Sequence, residues 1–165
     1  MEVRQAQAAD WQALRQLRLR ALADAPEAFA STLEVEAAFP DELWRQRARS
    51  GSASATLIAH RGGIDVGLAR IFAEPDAPGR MHLVSLWVDP GYRRRGVAHA
   101  LVDGAVAWAV DHRAREVILW VADQNTVARR LYERIGFRPT GERQPLPSNP
   151  AIIESRLHLP LEGPL

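Results

Sequence analysis

Apolar residues recur along this chain with two different periods, and the changes of period mark its elements. Glu2–Ala6 alternates and predicts a short first strand. Trp11, Leu14, Leu17, Arg18, Ala21 and Leu22 then follow at helical spacing behind Asp10, which stands where an N-cap would. Pro26 sets the latest point at which that helix can end. Residues 26–40 show neither period. Asp41 reads as the cap of a second helix over Glu42–Arg49, which the Gly51-Ser-Ala-Ser breaker follows. Thr56–Arg61 and Ile64–Phe72 are apolar runs joined by Gly62-Gly63, the pattern of a β-hairpin. Residues 74–80 predict a loop, and His82–Val88 a strand stopped by Asp89-Pro90-Gly91.

From Gly96 to His112 the apolar positions Val97, Ala98, Leu101, Val102, Ala105, Trp108 and Ala109 share one helical face. Glu116–Ala122 is almost continuously apolar, as a strand covered on both faces would be. A further helix starts at Asp123 or Asn125, turns Val127, Ala128, Leu131 and Ile135 inward, and ends on Gly136 as its cap. Phe137 opens another strand. Pro145, Pro147 and Pro150 predict a loop, Ile152–Leu159 a last strand, and Gly163-Pro164-Leu165 a tail. There is no repeat, low-complexity tract or linker, so residues 1–165 are expected to form one domain. Strand–helix–strand after residue 82 requires a crossover connection. The fold class is therefore α/β, in the α+β mixed sense, with a mixed sheet.

Composition narrows the chemistry. The chain has 165 residues, 47% hydrophobic and 25% charged, ordinary for a globular protein. Its net charge of +1 gives no reason to expect nucleic acid as a partner. Cysteine is absent, which excludes a disulfide framework, a thiolate nucleophile and Cys-bound zinc. Lysine is also absent, all 21 basic residues being arginine, which excludes a Schiff base and a P-loop lysine. The first residues lack the basic-then-apolar run of a signal peptide. Leu83–Val88 and Ala105–Val110 fall far short of the ~20 residues of a membrane span. A cytoplasmic protein with no membrane, metal or nucleic-acid partner is expected.

The chemistry-bearing stretch is Leu86-Trp-Val-Asp-Pro-Gly-Tyr-Arg93-Arg94-Arg95-Gly96-Val97-Ala98-His99-Ala100-Leu101. A strand ends, a glycine-bearing, arginine-rich loop follows, and a helix begins. The first turn of a helix carries unpaired N–H groups and a partial positive charge. Gly96 and Ala98 let a ligand approach the backbone. The combination predicts an anion cradle, suited to a pyrophosphate. Three arginines alone would equally suit a solvated loop. Gly91 to Gly96 fits the opening of a P-loop, but Val97-Ala98 stands where Lys-Ser/Thr is required. Ser85 has no Gly-x-Ser-x-Gly elbow.

Arg93-x-x-Gly96-x-Ala98 resembles the Gln/Arg-x-x-Gly-x-Gly/Ala signature of the GCN5-related N-acetyltransferases (GNAT). Leu86-x-Val88-Asp-Pro and Asn125-x-x-Ala128-x-x-Leu131-Tyr132-Glu-x-x-Gly136-Phe137 resemble that family's neighbouring segments. The resemblance is close over residues 82–141 and extends to the order of elements in the whole chain. It implies a mostly antiparallel sheet of about seven strands, the fourth and fifth splayed, flanked by about four helices. It implies acetyl-CoA as co-substrate, its pyrophosphate held by backbone amides from Arg94 to Leu101. The cofactor-binding positions it marks are thus Arg93, Arg94, Arg95, Gly96, Val97, Ala98, His99 and Ala100. Leu86, Trp87 and Val88 on the fourth strand, with Asn125 and Ala128, would hold the pantetheine arm, Val88 also serving the acetyl oxygen. Tyr132 would sit by the sulfur. Acetyl transfer to an amine needs a donor for the oxyanion and a proton for the leaving thiolate; a phenol can give that proton, which makes Tyr132 the catalytic candidate. The bland alternative is a tyrosine packed against the sheet.

The general base stays open among Glu34, Glu36, His82, Ser85 and Glu154, with Glu34 and Glu36 expected as solvated charges. The acceptor side is expected where residues 24–40, 74–80 and 143–150 meet. Pro26–Thr32 resembles a stretch that lines the acceptor in small bacterial relatives. Phe29, Phe39 and Trp44 would form an aromatic wall there or be core, and Trp120 faces either the cleft or the core. These segments hold several acids and few bases, which points to a cationic amine. The expected activity is N-acetylation of a primary amine on a small molecule, antibiotics included. The alternatives are a protein or peptide N-acetyltransferase, and a non-catalytic acyl-CoA-binding module. A homodimer is common in the family and is not fixed by this sequence.

Overall fold

Seven strands make one sheet, and the order in which they lie explains most of the sequence pattern. In this computed structural model, which describes residues 1–162, they are β1 (Glu2–Gln5), β2 (Ser54–Arg61), β3 (Ile64–Ala73), β4 (Arg80–Val88), β5 (Glu116–Ala122), β6 (Arg138–Leu146) and β7 (Asn149–Pro160). The spatial order is β1-β2-β3-β4-β5-β7-β6. Every adjacent pair is antiparallel except β4 and β5, which run parallel. The predicted tail at Gly163-Pro164-Leu165 lies outside the described residues. Among those residues, no helix is long and apolar enough to cross a membrane.

Five helices cover the sheet: α1 (Trp11–Asp24), α2 (Leu33–Ala37), α3 (Asp41–Ala48), α4 (Val97–Asp111) and α5 (Thr126–Ile135). Strand side chains alternate between faces. Ala69 and Ile71 of β3, Met81 and Leu83 of β4, and Val117, Leu119 and Val121 of β5 meet Val97, Leu101, Val102, Ala105 and Trp108 of α4. On the other face Ile58, Leu68 and Trp87 meet Leu14, Leu17, Ala21 and Leu22 of α1. Burying each such leucine stabilises by about 1.5–3 kcal/mol. β5 lies inside the sheet, which is why its sequence runs apolar.

Four expectations shift. Val127 of α5, expected to turn inward, is exposed. The featureless stretch 26–40 contains the five-residue helix α2, started by Thr32, whose hydroxyl accepts from the Val35 N–H. Asp41 is the first residue of α3 and not its cap. The prolines expected to make one loop are divided between two strands and a tight turn: Pro145 belongs to β6, Pro150 to β7, and Pro147 to the turn between them. β6 is an edge strand, where a missing N–H can face solvent.

Candidate functional site

β4 and β5 pair only at Arg80–Glu116, Met81–Val117 and His82–Ile118, and part beyond. The cause lies in β4. Leu68 of β3 faces Trp87 while Arg70 faces Val84, so β4 carries one extra residue, and Ser85 there takes a left-handed φ of 61°. Such a bulge bends and twists its strand. Past it, the Asp89 N–H bonds the Val66 carbonyl at 2.8 Å. Antiparallel bonds alternate, so the neighbouring Val88 turns its N–H and C=O away from β3, toward the side from which β5 has parted. The Val88 carbonyl accepts from Arg93 Nε at 3.0 Å. Gly67, opposite Val88, allows this approach: a Cβ there would lie 2.9 Å from the Trp87 carbonyl oxygen and 3.0 Å from Leu101 Cδ1.

The arginine-rich loop divides its labour. Arg93 braces it, bonding the Val88 carbonyl and, through Nη2, Asp24 at 2.6 Å. Asp24 also accepts from the Trp87 indole at 3.0 Å, and these bonds, Trp87's first, hold its carboxyl below the usual range. Arg94 and Gly96 both have left-handed backbone, φ 62° and 82°. A Cβ on Gly96 would meet nothing within 4 Å. No side chain caps α4, and its first internal bond is from the Ala100 N–H to the Gly96 carbonyl at 3.1 Å. The N–H groups of Val97, Ala98 and His99 therefore precede the helical ladder, at the positive end of the helix. The Ala100 N–H is engaged within the helix, which trims the predicted run of cradle amides at its far end. Arg94 and Arg95 are exposed, Arg95 lying 5.6 Å from the Tyr92 ring centre. Open space, free amides and two exposed guanidiniums suit a diphosphate.

α5 borders the same gap. Asn125 caps it, its Oδ1 accepting from the Ala128 N–H at 3.2 Å. Ala128 and Leu86 are half-buried against the larger core. Tyr132 is buried in that core, edge-on to Phe137 with ring centres 5.8 Å apart. Burial pushes its phenol pKa well above the ordinary value, so it stays protonated at neutral pH.

On the α1 face, beside the bulge, lies a cleft of about 220 Å³ lined by Arg18, Arg47, Arg70, Ser85, Trp44 and Thr56, with Leu14 and Leu68. Glu36 is its clamp. It is wholly buried and accepts from Arg18 Nε and Nη2 and from Arg47 Nη1, each at 3.0 Å. Burial alone would raise its pKa, but the Arg18 bonds, with help from Ser31 and Arg47, leave it lowered. Glu36 is thus an ion-paired core residue, against the expectation of a solvated charge; Glu34 is exposed as expected. Arg18 Nη1 donates to Ser85 Oγ at 2.7 Å. Arg18 also stacks over Phe29 and Arg47 over Phe39, 4.5 and 4.6 Å from the ring centres. The aromatic wall is therefore a set of platforms under guanidiniums. The positive charge of the cleft runs against the expected cationic acceptor: it comes from α1, α3 and β3, not from the loops whose acids suggested it.

The remaining candidates are spread out. His82 stands at the last β4–β5 pair and is half-buried; burial lowers its pKa, Glu74 opposing and Arg156 assisting. Glu154 is buried and accepts from Gln144 Nε2 at 2.7 Å. Trp120 lies between Leu119 and Val121, which point into the larger core, so it projects to the opposite face of β5, away from α4, and is half-buried. Ser148, in the β6–β7 turn, donates to the Phe29 carbonyl at 2.7 Å and ties together two of the segments expected to border the acceptor. Arg18, Arg47, Arg70 and Asp24 escaped the sequence reading. For Arg18, on the α1 stripe, and Arg70, within β3, the signal was an arginine inside an apolar pattern; Arg47 and Asp24 carried none.

Comparison with known proteins agrees with this geometry. The model of the family described as Acetyltransferase (GNAT) family matches residues 11–137. An uncharacterized N-acetyltransferase of Mycobacterium tuberculosis is 34% identical over 122 residues, 72% of this chain and 73% of that protein. A mycothiol acetyltransferase of Beutenbergia cavernae is 35% identical over 125 residues, 74% of this chain but only 39% of that longer protein. A solved GCN5-related N-acetyltransferase from Kribbella flavida superposes with TM-score 0.77 at 29% identity, covering 97% of each chain. A Salmonella typhimurium protein titled a putative acetyltransferase with its cofactor acetyl-CoA shares the fold, with TM-score 0.80 at 18% identity, covering 100% of this chain and 96% of that one.

Proposed function

The chain belongs to the acetyltransferase (GNAT) family, whose acetyl donor is acetyl-CoA, and from that premise we propose that it acetylates a primary amine on a small molecule, residues 1–165 acting as one domain. The observation that carries the reading is the parting of β4 and β5 beside an uncapped, glycine-preceded helix N-terminus. Acetyl-CoA supplies a thioester, whose carbonyl an amine attacks directly. In this reading Arg94 to His99 hold its diphosphate through backbone amides, and Arg93 shapes that loop without contacting the ligand. Leu86, Trp87 and Val88 flank the pantetheine on one side, Asn125 and Ala128 on the other. The Val88 N–H donates to the carbonyl oxygen as charge develops there, a role worth several kcal/mol in a dry site. The N–C bond forms, the C–S bond breaks, and Tyr132 gives its proton to the departing sulfur. The amine's proton leaves to solvent, from which Tyr132 is reprotonated.

The cleft of about 220 Å³ supports a small acceptor. The mycothiol acetyltransferase relative is consistent with it. The test is acetyl-CoA-dependent thiol release against a panel of aminoglycosides, polyamines, amino acids and short peptides. With no cysteine, the protein itself is silent to a thiol reagent. Release with one class of small amine is expected. Release with peptides alone would overturn the small-molecule assignment, and saturable acetyl-CoA binding without release from any amine would leave a binding module.

A further inference from the structure

Three guanidiniums line the acceptor-side cleft and one carboxylate answers them. Arg18 uses all three of its nitrogens, Nε and Nη2 on Glu36 and Nη1 on Ser85. Arg47 shares Glu36. Arg70 has no carboxylate partner among the described residues. Its only bonds among those residues are long ones from Nη1, at 3.4 Å to the Arg47 carbonyl and 3.4 Å to Thr56 Oγ1. Burial, then the charges of Arg47 and Arg18, depress its pKa, and no acid acts in the other direction. A guanidinium offers five donors in a planar fork, so most of Arg70's are unanswered. Trp44, which lines the same cleft, has a buried indole N–H that is also without a partner. The Trp44 N–H is a buried donor without an acceptor, which is costly and calls for an explanation; Arg70 is half-buried and lines the cleft with donors that no protein group answers among the described residues.

We infer that this cleft is an oxyanion subsite, with Arg70 as the principal ligand, and that the acceptor is a small amine carrying a carboxylate or phosphate group. The inference rests on the acetyltransferase reading and adds the acceptor's chemical class. Arg70 pairs with Val84 beside the Ser85 bulge, so the subsite opens onto the stretch of β4 that leads to Val88. An anion here would neutralise the surplus charge and hold the amine end toward the parted strands. This makes Arg70 a specificity-determining residue, while Glu36 and Arg18 position the wall and Ser85.

The test has two arms. In the first, succinate and inorganic phosphate are titrated into the protein without acetyl-CoA, followed by tryptophan fluorescence and calorimetry. Saturable binding of at least one is expected, weakened roughly 10- to 100-fold in Arg70→Gln, the worth of a lost charge-assisted bond. In the second, 4-aminobutyrate is compared with butylamine, and O-phosphoethanolamine with ethanolamine. The anionic member of a pair should have the higher kcat/KM, and Arg70→Gln should erase that advantage through KM. The two pairs distinguish carboxylate from phosphate. Removing a cation from between Arg18 and Arg47 should not lower Tm, and Arg70→Lys, which keeps the charge but not the fork, should retain part of the preference. Absence of anion binding, equal use of the uncharged partners, or a preference unmoved in Arg70→Gln overturns the inference. Arg70-dependent anion binding without thiol release from any amine would instead overturn the transferase reading and leave the anion site standing.

Discussion

Replacing Glu36 by glutamine removes a charge that itself has no contact with water, and its cost follows from what remains. The carboxylate is fully buried and takes three bonds of 3.0 Å from two guanidiniums. Removing one partner of a buried ion pair typically costs about 3–5 kcal/mol, because the other charge is left unpaired. Glutamine keeps the shape and one acceptor, and the Arg47 side chain is 37% exposed, so the lower end, about 3 kcal/mol, is expected. In a domain of this size that is a fall in Tm of roughly 6–12 °C. Thermal and urea unfolding would measure it. Glu42→Gln is the internal control: the Glu42–Arg45 pair is exposed and spans 3.7 Å, and its loss should cost about 0–1 kcal/mol. The pH dependence has a definite sign. The folded pKa of Glu36 is lowered from its ordinary value of 4.5. Its stabilisation is therefore complete above that value and lost as pH falls through the folded pKa. The gap between wild type and Glu36→Gln should be constant from neutrality down to that region and close below it. A Glu36→Gln protein as stable as the Glu42→Gln control, or a gap that persists in acid, would refute the clamp.

Tyr132→Phe should lower kcat roughly 100-fold or more while acetyl-CoA affinity, measured by titration, stays near wild type, since a proton donor acts only in the transition state. Equal turnover would remove Tyr132 from the mechanism. Gly96→Val places a branched side chain at φ 82° in the open space before α4; calorimetry should show a large loss of acetyl-CoA affinity, and unaltered affinity would refute the cradle. Gly67→Ala drives a methyl to 2.9 Å from the Trp87 carbonyl and 3.0 Å from Leu101. It should destabilise by about 1–3 kcal/mol, as overpacking does, with a loss of kcat because β4 must shift beside Val88; a neutral substitution would show that this strand contact is slack.

The amino-acid sequence by itself determined most of the elements and marked one half of the candidate site. Periodicity is local, so α1, α4, β5 and the β2–β3 hairpin could be read from it, as could the glycine-led start of α4. Local signals also marked Tyr132 and Asn125, because helix caps and helical spacing reach only a few residues. Elements that depend on distant partners were not legible. Arg80 and Met81, which precede the predicted strand start at His82, are strand because β3 and β5 lie beside them, and the prolines of β6 are tolerated because that strand is at an edge. Tertiary structure alone decided the arginine-lined cleft. Arg18, Glu36, Arg47 and Arg70 come from four elements, and only their convergence turns separate charges into a buried clamp with a guanidinium left over. The sign of that cleft is a sum over the charges brought together, and no stretch of sequence contains the sum.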